Sequence, residues 1–130
     1  PMTIAVGYIP TPAGKRALEE AIDRAAQTSR KLTIINVERG DRPGDLRHAS
    51  DEQLAEALES ARSTKVEATI VTVSATDGDD FVDCFLTAVR DVEPELLVIG
   101  SRRDSSVPPH MAGLTMQHIV ADAPCSVLVV

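Results

Sequence analysis

The residues best suited to hold a ligand lie between Gly100 and Thr115. Gly100 ends the apolar run Leu96-Leu97-Val98-Ile99, and Ser101, Arg102 and Arg103 come next. Arginine presents a planar fork of donors matched to phosphate oxygens, so this pair could clamp an anion. Further on, Gly113-Leu114-Thr115 leads into a short helical pattern with Met116, Ile119 and Val120 on one face. Free N–H groups and the helix dipole at such a start favour a phosphate or sulfate, and a Gly there lets it come close. The alternative for the arginines is two solvated side chains beside Asp104, and for Gly113 a role in loop geometry alone.

Other side chains with chemical potential do not assemble into a reactive set. Asp77, Asp79 and Asp80 lack the remaining ligands of an EF-hand loop, its final Glu included, so they read as helix-capping residues. His48, His110 and His118 are not grouped with a carboxylate or Cys at metal-ligand spacing, although His110 lies within the anion-binding segment. Cys84 and Cys125 stand far apart without metal spacing, and Cys125, at the entry to an apolar run, reads as a small core residue. No Ser sits in a nucleophile elbow. The sequence contains no catalytic constellation.

The elements that must position the loop alternate regularly. Thr3 to Gly7 is a short strand, and Thr11 and Pro12 start a helix with Ala17, Leu18, Ala21, Ile22 and Ala25 inward. Lys31 to Val37 is the second strand, and a polar loop from Glu38 to Ala49 leads to the capping box Ser50-Asp51-Glu52-Gln53. The helix after it turns Leu54, Ala57, Leu58 and Ala61 inward. Glu67 to Ser74 alternates as an edge strand does, with Thr69, Val71 and Val73 on one face. Thr76 to Asp80 starts a third helix with Phe81, Val82, Phe85, Leu86 and Val89 inward, which cannot continue through Pro94. Leu96 to Ile99, ended by Gly100, is apolar on both faces, which suits a strand covered by helices on both sides, and Val127 to Val130 is a second apolar run. The expected fold is a three-layer α/β/α domain spanning residues 1–130, a five-stranded parallel sheet with four helices and right-handed crossovers.

The segment Val98-Ile99-Gly100-Ser101-Arg102, then Gly113, then Ala123-Pro124-Cys125-Ser126-Val127-Leu128-Val129-Val130 resembles the C-terminal signature of universal stress proteins. The resemblance extends over essentially the whole chain in size and element order. It implies the strand order 3-2-1-4-5, with the loops after Gly7 and Gly100 facing each other across a crevice. Nucleotide-binding members carry Gly, two residues, Gly, nine residues, then Gly and Ser or Thr. Here Gly100 and Gly113 hold the outer Gly positions, Arg103 replaces the middle Gly, and Leu114 replaces the Ser or Thr. Ile9 stands where those members have an Asp that contacts nucleotide. The resemblance therefore implies a site at Gly100, Arg102, Arg103, Gly113, Leu114 and Thr115 with weakened affinity for ATP. It also implies a homodimer through Val127 to Val130, an apolar edge with no Lys or Pro to blunt it.

Composition bounds the alternatives. A chain of 130 residues can bury about two-thirds of its unfolded surface in one core. Its net charge of −7 opposes binding to nucleic acid or anionic membrane, and Tyr8, Phe81 and Phe85 are its only aromatics. No apolar run approaches the roughly 20 residues of a membrane span, and no signal peptide is recognisable, so the expectation is a cytoplasmic protein with reduced thiols. The first function these features support is a non-catalytic domain of stress response acting through dimerisation and unknown protein partners. An adenine-nucleotide switch holding ATP or AMP through Gly100, Arg102, Arg103, Gly113 and Thr115 is the alternative. Slow ATP hydrolysis ranks last, because no base or metal carboxylate stands near the loop.

Overall fold

Continuous apolar runs and helical patterns resolve into layers. The computed structural model describes residues 3–39, 49–75, 81–101 and 117–130. In chain order these form β1 (Thr3–Gly7), α1 (Pro12–Thr28), β2 (Lys31–Arg39), α2 (Asp51–Ser63), β3 (Ala68–Ala75), α3 (Phe81–Val92) and β4 (Leu96–Ile99). A helical segment at residues 117–122, here α4, precedes β5 (Ser126–Val129). All neighbouring strands pair in parallel, in the order β3-β2-β1-β4-β5.

Alternation along each central strand feeds two separate cores. Ile4, Val6, Ile34 and Val98 pack with Ala17, Leu18, Ala21, Ile22 and Ala25 of α1 and with Leu54, Ala57 and Ala61 of α2. Ala5, Ile35, Leu97 and Ile99 point the other way, against Val82, Phe85, Leu86 and Val89 of α3 and Ile119 of α4. Strands buried on both faces explain why these runs read as unbroken apolar sequence. Ile4 and Val6 of β1, Ile34 and Ile35 of β2, and Leu97, Val98 and Ile99 of β4 are all buried in the core.

Helix boundaries follow local chemistry. The Thr11 side chain caps α1 by accepting from Gly14 N at 3.1 Å, with Pro12 in the first turn. Ser50 and Gln53 complete the expected capping box at α2, with bonds of 3.2 and 2.8 Å. Beneath that helix start, the fully buried Asn36 Oδ1 accepts from Ala49 N at 3.1 Å.

Some expectations need adjustment. β2 extends beyond Val37 to Arg39, because β3 supplies a pairing partner as far as Ala75. Val120 does not share the inward face of α4: it is 50% exposed, whereas Ile119 is buried. Ile119 packs into the core shared with α3, and Val120, about 100° further round the helix, faces out. Cys125 is half-buried rather than a full core residue. The expected helix start at Thr76 and the inward Met116 lie outside the described residues.

Candidate functional site

Strands β1 and β4 are neighbours, with Val6 beside Val98, yet the chain leaves them for opposite faces of the sheet. Ligands in open α/β sheets bind at such a reversal, outside the carboxyl ends of the strands. By that rule the exits from Gly7 and Gly100 mark the place where a ligand would bind.

The β1 exit is short and tightly wound. Tyr8 N donates to Ile35 O at 3.0 Å, which carries the β1–β2 ladder one residue further. Thr11 N donates to Ile9 O at 2.8 Å, and Lys15 N to Thr11 O at 2.9 Å. A Cβ on Gly14 would strike the Ile9 carbonyl oxygen, so the turn closes against the helix it starts. The Ile9 side chain is half-buried and has no atom that could accept from a ribose or bind a metal.

The β4 exit is held from two sides. On one, Gly100 packs directly on the backbone of Ala13 in the first turn of α1, leaving no room for a Cβ. On the other, Ser101 N and Ser101 Oγ both donate to Val130 O, at 2.8 and 3.0 Å. Val130 N in turn donates to Ile99 O at 3.0 Å. Arg16 reaches across from α1, where its Nη2 donates to Ser101 O at 2.9 Å. The N–H, hydroxyl and carbonyl of the first loop residue are thus all engaged within the protein. Arg16 Nε is buried without a hydrogen-bond partner among the described residues.

Of the expected site residues, Gly100 lies at the crevice, where its visible role is close packing against α1. Arg102, Arg103, Gly113, Leu114 and Thr115 lie outside the described residues, as do Asp77, Asp79, Asp80, His48 and His110. Arg16 and Ser101 were not singled out by sequence. Arg16 lies between the buried Ala13 and Ala17 on the helix, and nothing in the one-dimensional pattern ties it to a residue 85 positions later.

His118 has two carboxylate neighbours, Asp122 at helical i,i+4 spacing and Asp83, which no spacing rule ties to it. Its Nε2 lies 3.0 Å from Asp122 Oδ2 one turn along α4 and 3.9 Å from Asp83 Oδ1 on α3. Among the described residues no group of three or more His, Cys, Asp or Glu side chains is arranged to hold a metal ion. Burial pushes the Cys125 thiol above its ordinary range, partly offset by a hydrogen bond with the Leu97 backbone. That shift makes it a poor nucleophile at neutral pH. No helix among the described residues is long and apolar enough to cross a membrane.

Comparison with known proteins agrees with this geometry. The family model described as the universal stress protein family matches residues 2–130. A universal stress protein from Mycolicibacterium smegmatis is 31% identical over 127 residues, covering 98% of this chain and 95% of its own. A universal stress protein crystallised in complex with cAMP superposes with a TM-score of 0.76 at 19% identity, over 99% of this chain and 96% of that one. An Arabidopsis thaliana family protein with AMP bound gives a TM-score of 0.67 at 20% identity, covering 100% of this chain and 91% of the other. The sheet order, the crevice at its switch point and the matched length lead to one assignment: this chain belongs to the universal stress protein family.

Proposed function

We propose that this chain is a non-catalytic universal stress protein domain that acts in stress response through dimerisation and protein partners, with weak or lost ATP binding. The observation that carries this reading is the engagement of Ser101. Its amide, hydroxyl and carbonyl are all occupied where the loop leaves β4. Ile9 removes a further polar contact on the β1 side. A lost neutral hydrogen bond weakens binding by about 0.5–1.5 kcal/mol and one to a charged group by about 1.5–3, and each 1.4 kcal/mol is roughly tenfold in affinity. With Leu114 in place of the Ser or Thr as the second loss, ATP binding falls by roughly ten- to a thousandfold. Neither exit segment, from Gly7 to Thr11 or Gly100 to Ser101, contains a carboxylate to hold Mg²⁺ or act as a base.

The dimer contact in this reading is β5. It is an edge strand with Val129 40% exposed and with no Lys or Pro on it. A second copy related by a twofold axis would cover the free edge. Light scattering should report an assembly no smaller than a dimer at micromolar concentration, and Val129→Lys should reduce its size.

A second reading is an adenine-nucleotide switch, favoured by the similar structures that hold cAMP and AMP. A monophosphate asks less of the loop than a triphosphate does. Gly100, Arg102, Arg103, Gly113 and Thr115 would hold it, with phosphate or sulfate as the minimal ligand. Calorimetric titration with ATP and Mg²⁺, and separately with AMP and cAMP, separates the readings. No measurable heat with any of them supports the first. Low-micromolar AMP binding that is lost in Arg103→Ala supports the second.

A further inference from the structure

The second edge of the sheet, β3, is twice as long as β5. It runs for eight residues, Ala68–Ala75, against four for Ser126–Val129. Its sequence, Ala-Thr-Ile-Val-Thr-Val-Ser-Ala, has no charge, no Pro and no Gly. The register with β2 is continuous from Leu32–Ala68 to Arg39–Ala75, without a bulge. Natural edge strands are blunted by charge, Pro, bulges or brevity, and β3 has none of these.

The ladder also fixes which backbone groups face outward. Leu32 N donates to Glu67 O at 2.9 Å, so residue 67 and every second residue after it turn their N–H and C=O toward β2. Ala68, Ile70, Thr72 and Ser74 therefore direct theirs away from the sheet. Among the described residues no strand lies on that side.

We propose that β3 pairs antiparallel with β3 of a second copy about a twofold axis, giving a contact distinct from the one at β5. An alignment centred on Val71 keeps each face of the sheet continuous. It sets Ile70 opposite Thr72 and Ala68 opposite Ser74, so outward N–H and C=O groups meet their counterparts. Between these, Val71 opposes itself and Thr69 opposes Val73, β-branched pairs that pack well across strands. No like charges meet along the strand. In the sequence, Arg62 and Lys65 precede β3, and Asp77, Asp79 and Asp80 follow it. At the leading end Arg62 is paired with Glu59 at 3.1 Å and Glu67 with Lys31 at 3.7 Å, which leaves the charge of Lys65. An antiparallel alignment then runs the end that follows Lys65 in one copy toward the end that precedes Asp77, Asp79 and Asp80 in the sequence of the other. With β5 also paired, the two contacts would join copies edge to edge in a continuous sheet, and assembly would not stop at two chains.

The test is sedimentation velocity on the full chain and on variants at each edge. Thr72 is exposed and its N–H faces outward, so Thr72→Pro removes a donor to the new partner without breaking the β2 ladder. Thr72→Lys places a charge at the same point without altering the backbone, which keeps the test valid should the Pro variant fold poorly. The expected result is species larger than a dimer for the unaltered chain, reduced to a dimer in either Thr72 variant. Val129→Lys should leave a dimer, and the combination with Thr72→Lys a monomer. If the Thr72 variants sediment like the unaltered chain, or Val129→Lys alone gives monomer, the β3 contact is overturned, whereas the β5 contact fails separately if Val129→Lys changes nothing.

Discussion

The carbonyl oxygen of Ala13 occupies the space that a Cβ on Gly100 would need. The first turn of α1 and the end of β4 are therefore in backbone-to-backbone contact. Gly100→Ala should destabilise the fold by about 1–3 kcal/mol, because α1 must move off the sheet to admit the methyl group. Chemical denaturation would show a lower midpoint. An unchanged midpoint would mean that the helix start yields without cost.

The hydrogen bond from Arg16 to Ser101 O has a different consequence. Arg16→Met keeps the apolar stem along the α1 surface but removes the charged donor, at a cost of about 1.5–3 kcal/mol for a partly buried bond. Under the proposed function, titration of this variant with ATP and Mg²⁺ should remain as weak as for the unaltered chain. A gain in ATP affinity would show that Arg16 holds Ser101 away from a competent loop geometry.

Much of this fold was legible in the sequence because its strands are buried on both faces. Leu97, Val98 and Ile99 must be apolar whichever way they point, so the run announces itself. The capping box at Ser50 and Gln53 was equally plain, since its pattern is local. What escaped was relational. Val120 looks as apolar as Ile119, and only the packing of α4 against α3 and the sheet decides which is buried. The ties from Ser101 to Arg16 and Val130 join residues far apart in the chain, and no spacing rule encodes them. His118 and Asp83 meet only because α3 and α4 share a face of the sheet.

Helix α2 ends in a Schellman arrangement with an unusual residue at its turning point. Val66 N donates to Ala61 O and Lys65 N to Arg62 O, both at 2.9 Å, while Lys65 sits at φ 62°. The left-handed conformation costs an L-residue about 1–2 kcal/mol, and Gly at this position avoids it. Gly also loses about 0.5–1 kcal/mol of backbone entropy on ordering. Lys65→Gly should therefore stabilise the domain by up to about 1.5 kcal/mol, the difference between those terms. A raised melting temperature would be the sign, and a lowered one would show that the Lys side chain packs usefully on the surface.

Tyr8 links the crevice to the alkaline limit of stability. Its side chain is buried beside α2, and burial, followed by the Glu56 carboxylate, raises the phenol above its ordinary value of 10.0. In the unfolded chain the phenol loses its proton near that ordinary value, while the folded protein still holds it. The unfolded state thus binds fewer protons in this window, so stability falls as pH rises. Below pH 10 the contribution is fully present, and it disappears as pH climbs toward the raised folded-state value. Tyr8→Phe keeps the ring in the core and removes the titrating group. Urea denaturation of both proteins between neutral and strongly alkaline pH should show a steeper decline for the unaltered chain. Equal slopes would mean that the Tyr8 hydroxyl reaches solvent and titrates alike in the folded and unfolded states.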